Sequence, residues 1–168
     1  MNKNKYIELA KKAANIQINE LKKIKAVFNK SFVQAVDLIL NCKGKVVFAG
    51  VGKSGLIARK ISATFSSIGI PSFFCHPSDA LHGDLGQIEK KDILIIFSYS
   101  GNTSELTNML KYANRFRIKI IGIASKAESV LLKASDIKLK LPKVREADLI
   151  GMVPTSSTTI SLLLGDCL

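Results

Sequence analysis

From residue 45 onward, short apolar runs alternate with longer stretches that have helical periodicity. The apolar runs predict five strands, at residues 45–49, 72–75, 93–97, 118–123 and 137–141, and the stretches between them predict helices at residues 54–67, 103–115 and 127–133. Alternation of strands and helices is typical of βαβ units, so we expect an α/β fold with a five-stranded parallel sheet between two helical layers. Such sheets bind ligands at the carboxyl ends of their strands, and Gly50, Ser98 and Ala124 should lie at that edge.

Two predicted helices and no strand precede this region. Apolar side chains between residues 7 and 28 recur every three or four positions, which places them on one face of a long first helix. The segment Ser-Phe-Val-Gln at 31–34 resembles a capping box and predicts that a second helix begins at Ser31. Neither helix contains a candidate for chemistry. We therefore expect a helical arm (residues 1–42) that packs on an α/β core (residues 43–168) or on another subunit.

The composition is that of one domain with a sizeable core, since 47% of the 168 residues are hydrophobic. The longest apolar run, at 93–97, is far too short to span a bilayer, and the lysine-rich first residues lead into an amphipathic pattern rather than a signal peptide. These features predict a soluble, cytoplasmic protein. The three cysteines (Cys42, Cys75 and Cys167) have no CxxC spacing, so we expect free, buried thiols and no metal site.

The formal net charge of +12 raises the question of nucleic-acid binding. Only four of the 25 basic residues are arginines, and the lysines are spread along the whole chain without interleaved aromatic residues. This pattern is not typical of base recognition. Lysines on solvated helix faces and a general attraction of anionic substrates explain the charge, so we expect no nucleic-acid partner.

Two loops rich in Ser and Thr stand where helices are expected to begin. The first supplies Ser98, Ser100 and Thr103, and the second supplies the run Thr155, Ser156 and Ser157. Unpaired N–H groups and the helix dipole make a helix N-terminus an anion site. The alternative is that both loops are simply N-caps. Together with a third, glycine-rich loop they favour a site for a phosphorylated small molecule.

The glycine-rich loop is Gly-Val-Gly-Lys-Ser-Gly at residues 50–55, which matches the dinucleotide fingerprint GxGxxG after a predicted strand. That fingerprint also needs an acidic residue at the end of the second strand, where this chain has Cys75-His76. The same stretch resembles a Walker A loop in its Gly-Lys-Ser, but Val47 stands where that loop needs its first glycine. The glycines still let the backbone approach a ligand, which makes Gly52 and Ser54 candidate ligands. Lys53 would add positive charge, unless it is only a solvated helix-start lysine.

Two histidines and two glutamates are the remaining candidates for chemistry. His76 and His82 share one loop with no third ligand, so zinc is weakly indicated; we favour His82 as an acid or base, the alternative being that one histidine caps the loop. Glu105 either forms a capping box with Asn102 or lies near the far end of a bound sugar. Glu146 is either a solvated loop residue or lies at the site entrance, where burial could raise its pKa toward neutrality.

The segments GVGKSG, PSFFCHPSDALHGDLG, FSYSGNTSE, READ, PTSSTT and LLLGD, in this order, closely resemble the SIS (sugar isomerase) domain of arabinose-5-phosphate isomerases over nearly the whole chain. The resemblance implies a single flavodoxin-like domain without cofactors. It implies a phosphorylated pentose substrate and interconversion of D-ribulose 5-phosphate and D-arabinose 5-phosphate through a cis-enediolate, toward 3-deoxy-D-manno-octulosonate for Gram-negative envelopes. The serines and threonine of the SxSGxT loop would hold the phosphate, and ring opening and proton transfer would fall to Lys53, His82, Glu105 and Glu146.

The sequence departs from the family pattern in two places. Members commonly continue past the GDxL helix into a His-Pro-Gly-Gly segment and paired CBS domains, whereas this sequence ends inside its last predicted helix, at residues 155–168, without a stop signal. We expect a cut boundary or a natural short form. Asp148-Leu149 replaces the frequent cysteine-proline pair.

Two other function classes remain open: a phosphosugar sensor without catalysis and, less favoured, a nucleotide-binding oxidoreductase. Apolar surface on the first and last helices predicts a dimer or tetramer.

Overall fold

The five strands form one all-parallel sheet in the computed structural model, which describes residues 3–168. The strands are β1 (Val46–Gly50), β2 (Ser72–Phe74), β3 (Ile93–Phe97), β4 (Lys119–Ala124) and β5 (Ile137–Lys140), in the order β2-β1-β3-β4-β5. This is the flavodoxin-like doubly wound order. All five predicted strands are confirmed to within two residues at each end. Met1 and Asn2, the first residues of the predicted arm, lie outside the described residues.

Seven α-helices cover the sheet within residues 3–168: α1 (Lys3–Leu21), α2 (Lys30–Leu40), α3 (Gly52–Ser67), α4 (Pro77–Ala80), α5 (Leu106–Phe116), α6 (Val130–Ala134) and α7 (Ser156–Asp166). One face packs against α2, α3 and α7, and the other against α4, α5 and α6. The predicted three-layer architecture is thereby confirmed. None of the helices within residues 3–168 has the length and apolar character that a membrane span requires.

The central strand β3 is apolar on both faces. Ile93, Ile95 and Phe97 point into one helical layer, and Leu94 and Ile96 into the other. All five side chains are buried. A parallel strand covered on both sides is apolar throughout, which is why an uninterrupted run rather than an alternating pattern marked it in the sequence.

Several helix boundaries differ from the sequence-based expectation. Helix α3 begins two residues earlier than predicted, and α5 and α6 each begin three residues later. The first helix ends at Leu21 and continues as a 3₁₀ helix over Lys22–Val27. The second begins at Lys30, and its cap is Asn29, whose side-chain oxygen accepts the N–H of Ser31 at 2.9 Å. The predicted cap at Ser31 is therefore wrong, because an equally good cap residue two positions earlier has the extended backbone that a cap needs.

The region 76–87 is more ordered than the loop we expected. It contains α4 and a 3₁₀ helix over Asp84–Gln87. Pro77 stands in the first turn of α4, and the ring Nδ1 of His76 accepts the N–H of Ser78 at 3.2 Å. A proline at the first helical position and a side-chain cap together favour a short helix here.

The surface of the described residues carries an apolar loop before α7. Leu149, Ile150 and Met152 are 84%, 74% and 76% exposed. The three cysteines are free, but only Cys75 is buried, while Cys42 is half-buried and Cys167 is exposed. The expectation of buried thiols is thus wrong for Cys167.

Candidate active site

A cleft lies at the carboxyl edge of the sheet, between the ends of β1 and β3. The helix after β1 packs on one face of the sheet and the helix after β3 on the other, and this switch point is where doubly wound sheets bind ligands. The cleft has a volume of about 330 Å³. Three chain segments line it: Val51, Lys53 and Ser54; Tyr99 and Ser100; and Glu146, Pro154, Ser157 and Thr158.

The glycine-rich loop brings the start of α3 close to the sheet. A Cβ at Gly55 would lie 2.6 Å from the carbonyl oxygen of Gly50, so only glycine permits this approach. The close packing places Lys53 and Ser54 in the first turn of α3, at the cleft wall. Lys53 is exposed and has no ion pair among residues 3–168. Its ammonium group is therefore available to an anionic ligand.

The loop after β3 is held in shape by its own hydroxyls. The Ser98 and Thr103 hydroxyls are 2.8 Å apart, and the N–H of Gly101 donates to the Ser98 hydroxyl at 3.1 Å. Gly101 has a φ of 69°, and a Cβ there would lie 2.2 Å from the Ser129 hydroxyl. Ser98 is buried, whereas Ser100 lines the cleft. The loop is thus preformed, with Ser100 as its cleft-lining hydroxyl.

The start of α5 differs from the predicted capping box. Glu105 occupies the cap position itself and accepts the Ser104 hydroxyl at 2.8 Å, while the Asn102 side chain accepts the N–H of Val130 at 3.0 Å. The alternative of an Asn102–Glu105 capping box is therefore wrong. Glu105 is exposed, and hydrogen bonds from its own N–H and from Ser104, with a smaller charge effect of His76, hold its pKa below the ordinary value.

The carboxylate of Glu146 is held at the N-terminus of α7. Its Oε2 accepts the N–H of Thr155 at 2.7 Å, the Thr155 hydroxyl at 3.0 Å and the N–H of Ser157 at 3.2 Å. The Thr155 oxygen in turn accepts the N–H of Ala147 at 2.7 Å. The anion at this helix N-terminus is therefore the protein's own glutamate. Ser156 is fully buried, and its hydroxyl has no hydrogen-bond partner in the described part of the chain.

The surroundings of Glu146 keep it ionised. Burial raises its pKa, but the hydrogen bonds from Ser157 and Thr155 together lower it by more, so the pKa lies below the ordinary glutamate value. The structure thus reverses the shift toward neutrality that burial alone would give. Glu146 carries its negative charge at neutral pH, and Lys53 lines the same cleft.

The two histidines have different surroundings. His76 caps α4 and packs edge-on against Phe74, with ring centroids 6.2 Å apart, which is the capping alternative considered from the sequence. His82 lies exposed after α4, and its backbone N–H donates to Asp79 at 2.9 Å. Within residues 3–168 no three His, Cys, Asp or Glu side chains are placed to hold a metal ion.

The structure brings together five of the twelve residues predicted for the site. Lys53, Ser54, Ser100, Glu146 and Ser157 line the cleft, and Gly52 lines a neighbouring hollow. The other six predicted residues are not part of the cleft lining: Ser98, Thr103, Thr155, Ser156, His82 and Glu105. The sequence analysis missed Tyr99, which lies between two predicted ligands and lines the cleft. Its position inside the SYSGNTSE motif was a usable signal.

Fold and cleft together define a class: a doubly wound α/β protein with a polar ligand cleft at its switch point, between a hydroxyl-rich loop and an anchored carboxylate. The model of the SIS domain family matches residues 39–168. The chain belongs to this family, as its sequence motifs predicted.

Individual relatives agree with this assignment. An uncharacterized protein of Rickettsia prowazekii is 42% identical over 168 residues, which are 100% of this chain and 52% of the relative. Arabinose 5-phosphate isomerase KdsD of Shigella flexneri is 42% identical over 161 residues, 96% of this chain and 49% of the relative. A solved structure from E. coli CFT073, in complex with arabinose 5-phosphate, has 37% identity and a TM-score of 0.94, and the match covers 99% of this chain and 89% of that one. The chain spans about half the length of the curated relatives it matches.

Proposed function

We propose that this chain is a sugar-phosphate isomerase that interconverts D-ribulose 5-phosphate and D-arabinose 5-phosphate. The observation that carries the proposal is the cleft that Glu146, Lys53 and Ser100 share at the switch point of the sheet. The similarity to KdsD of Shigella flexneri and to the E. coli structure with arabinose 5-phosphate supports the choice of a five-carbon substrate. The product would feed 3-deoxy-D-manno-octulosonate synthesis for lipopolysaccharide, in the cytoplasm.

The proposed chemistry is a proton transfer between adjacent carbons. Glu146, as base, removes the proton from the carbon next to the carbonyl group, which gives a cis-enediolate. The ammonium group of Lys53 stabilises the negative charge that develops on oxygen. Returning the proton to the neighbouring carbon completes the exchange of aldose and ketose, with no net oxidation and no cofactor.

Substrate binding would use the hydroxyl-rich loop. The loop of Ser98, Ser100 and Thr103 holds the phosphate: Ser100 acts from the cleft wall, and Ser98 and Thr103, whose hydroxyls are 2.8 Å apart, keep the loop in shape. At the α3 N-terminus Ser54 faces the sugar from the cleft wall, and Gly52 precedes it at the edge of a neighbouring hollow. Thr155 and Ser157 contribute by holding the base, because their N–H groups already donate to Glu146. Ser156 is the first residue of α7 and is fully buried, and we assign it to the same support of the base.

The remaining two candidates would act at the open side of the cleft. We assign His82 to ring opening and Glu105 to orienting substrate hydroxyls or sharing the proton transfer, because both residues are exposed and lie in the segments that follow β2 and β3. Their position outside the cleft wall is also the observation that favours a second candidate function, a phosphosugar sensor without turnover.

The experiment that tests the proposal compares wild type with Glu146→Gln, which keeps size and hydrogen bonding but removes basicity. A coupled assay of arabinose 5-phosphate formation should show a loss of turnover of about 10²–10⁴-fold, the usual contribution of a positioned base. Exchange of solvent deuterium into the substrate should fall in parallel. A wild-type chain that binds arabinose 5-phosphate without turnover or exchange would instead be the sensor.

A further inference from the structure

The backbone just before Glu146 lacks regular secondary structure. Residues 142–145, here called the strap, follow β5 and have no helix or strand hydrogen bonds of their own. Side chains from two distant parts of the chain hold the strap instead. Because Glu146 is the next residue, these side chains determine where its backbone lies.

The first contact comes from Tyr99. Its hydroxyl donates to the carbonyl of Pro142 at 3.2 Å and accepts the N–H of Val144 at 2.9 Å. The backbone carbonyl of Tyr99 is fixed in turn by Ser125, whose N–H and hydroxyl both donate to it at 2.8 Å. Burial raises the pKa of the Tyr99 hydroxyl, so it keeps the proton that it donates to the strap.

The second contact comes from the helical arm. Oε2 of Glu20, near the end of α1, accepts the N–H of Arg145 at 3.0 Å. Lys23 lies 2.5 Å from the same carboxylate oxygen and also donates to the carbonyl of Lys143 at 3.4 Å. The hydrogen bond from Lys23, opposed by burial and assisted by the N–H of Arg145, lowers the pKa of Glu20, which keeps it a charged acceptor.

The side chain of Glu146 is anchored separately, at the start of α7. Its two ends are thus fixed by different elements: the carboxylate by α7, and the backbone by the strap. Tyr99 also belongs to the loop that supplies Ser98 and Ser100. One residue therefore connects the proposed phosphate ligands to the backbone of the proposed base.

We propose that Glu20 and Tyr99 are positioning residues that hold Glu146 at the correct distance from the substrate carbon. The inference rests on the proposed function of Glu146 as the base. It gives the helical arm, in which the sequence showed no chemistry, a direct influence on the reaction. A base displaced by about 1 Å can lose about 10²-fold in rate, so the loss of either contact should reduce turnover.

The test uses Glu20→Ala and Tyr99→Phe in the 168-residue chain, with Glu8→Ala and Tyr112→Phe as matched controls. Glu8 is an exposed glutamate on the same helix, and Tyr112 is a tyrosine of α5 far from the strap in sequence. We expect kcat to fall about 10- to 100-fold in both test variants, with KM changed less than about twofold. Deuterium exchange should fall with kcat, and both controls should match wild type.

A double-mutant cycle separates positioning from general damage. In the Glu146→Gln background, Glu20→Ala and Tyr99→Phe should have almost no further effect, because they act through Glu146. Glu20→Gln, which keeps an oxygen acceptor for Arg145, should retain more activity than Glu20→Ala. If the alanine form does not fold, as judged by circular dichroism, Tyr99→Phe with its control carries the test alone.

Three outcomes overturn the inference. Unchanged kcat in both test variants while Glu146→Gln is impaired refutes positioning and leaves the base in place. An equal loss in the wild-type and Glu146→Gln backgrounds shows that the two residues do not act through Glu146. If Glu146→Gln itself retains full turnover, the proposed function and this inference fail together.

Discussion

At the scale of single residues, Glu146 both caps a helix and offers a charge to the cleft. A helix N-terminus lowers the pKa of a carboxylate, which weakens it as a base but guarantees that it is ionised when substrate arrives. The balance is set by Thr155 and Ser157, whose donors outweigh the effect of burial. The pKa of Glu146 is thus a property that single substitutions in its neighbours can change.

Thr155→Val tests this balance, because valine keeps the shape and the N–H but removes the hydroxyl donor. Donors stabilise the ionised form, so their loss should raise the pKa of Glu146 toward the ordinary glutamate value. In wild type, the stability that Glu146 contributes is present above its unfolded pKa and is lost as the pH falls through its lowered folded pKa. Carbon-13 NMR titration of glutamate carboxyls, with Glu146→Gln for assignment, measures the shift; an unchanged or lower pKa would contradict this account.

Ser100→Ala tests the phosphate loop. Ser100 is the predicted phosphate ligand of this loop that lines the cleft, and its hydroxyl oxygen also accepts the N–H of Asn102 at 3.3 Å. Removing a hydrogen bond to a charged phosphate should weaken binding of arabinose 5-phosphate by about 1–3 kcal/mol. Titration calorimetry measures this, and Ser67→Ala at the far end of α3 is the matched control. Equal affinities in a folded protein would remove Ser100 from the site.

The sequence predicted Lys53, Ser100 and Glu146 as site residues, and the fold brings them to one cleft. It could not predict the pKa of Glu146, because that depends on which donors reach its carboxylate. Nor could it identify the contacts of Tyr99 and Glu20 with the strap. Their partners there are backbone groups, and any residue type supplies the same backbone groups. The motif around Tyr99 could indicate only that it lies near the site.

At the scale of elements, cap residues show where local sequence is ambiguous. Asn29 and Ser31 are both favourable caps, and only the backbone conformation decides between them. The strands were easier to predict, because burial on both faces leaves continuous apolar runs such as β3. The loop after β3 was predictable only in part. Its residue types indicated a ligand, but its hydrogen bonds to α6 through Asn102 and Gly101 depend on tertiary packing.

Asn29→Ala tests the cap of α2. The substitution removes the acceptor for the N–H of Ser31, along with the side-chain donor to the carbonyl of Ala26. The free energy of unfolding should fall by about 1 kcal/mol, the usual cost of a lost cap. Urea denaturation measures this, and Asn29→Asp, which keeps a cap acceptor, should lose much less. A fully stable alanine variant would mean that Ser31 can take over as the cap.

At the scale of the whole molecule, the loop before α7 exposes more apolar surface than a monomer usually leaves in water. Leu149, Ile150 and Met152 expose most of their side chains side by side in sequence. Burying such a patch against a second copy of the chain would recover the free energy that exposure to water costs. The sequence placed such surface on the first and last helices. α1 does expose Tyr6, Ile7 and Ile18, but the apolar side chains of α7 are buried or half-buried, so that part of the expectation is wrong. The loop before α7 instead offers the second apolar patch for the dimer or tetramer that we expect.

Sedimentation at micromolar concentration should show an assembly larger than the 18.3 kDa chain. Combining Leu149→Asp with Met152→Asp should shift the assembly toward the monomer, because each copy would then bury two carboxylates without partners in the interface. Ile68→Asp is the matched control. Ile68 is also exposed, but it precedes β2, the outer strand of the sheet on the side away from β5. A monomer in the unsubstituted chain would contradict the expected assembly.

The contact of the arm with α7 has a consequence for synthesis on the ribosome. The Thr159 hydroxyl donates to the Gln17 side chain at 3.0 Å, across 142 positions of sequence. Translation at about 5–20 residues per second leaves roughly 7–28 s between the two partners. During that interval the side of α1 that packs on α7 is uncovered and open to chaperones and proteases. The nascent chain would therefore complete its cleft only after α7 emerges and the first helix can dock against it.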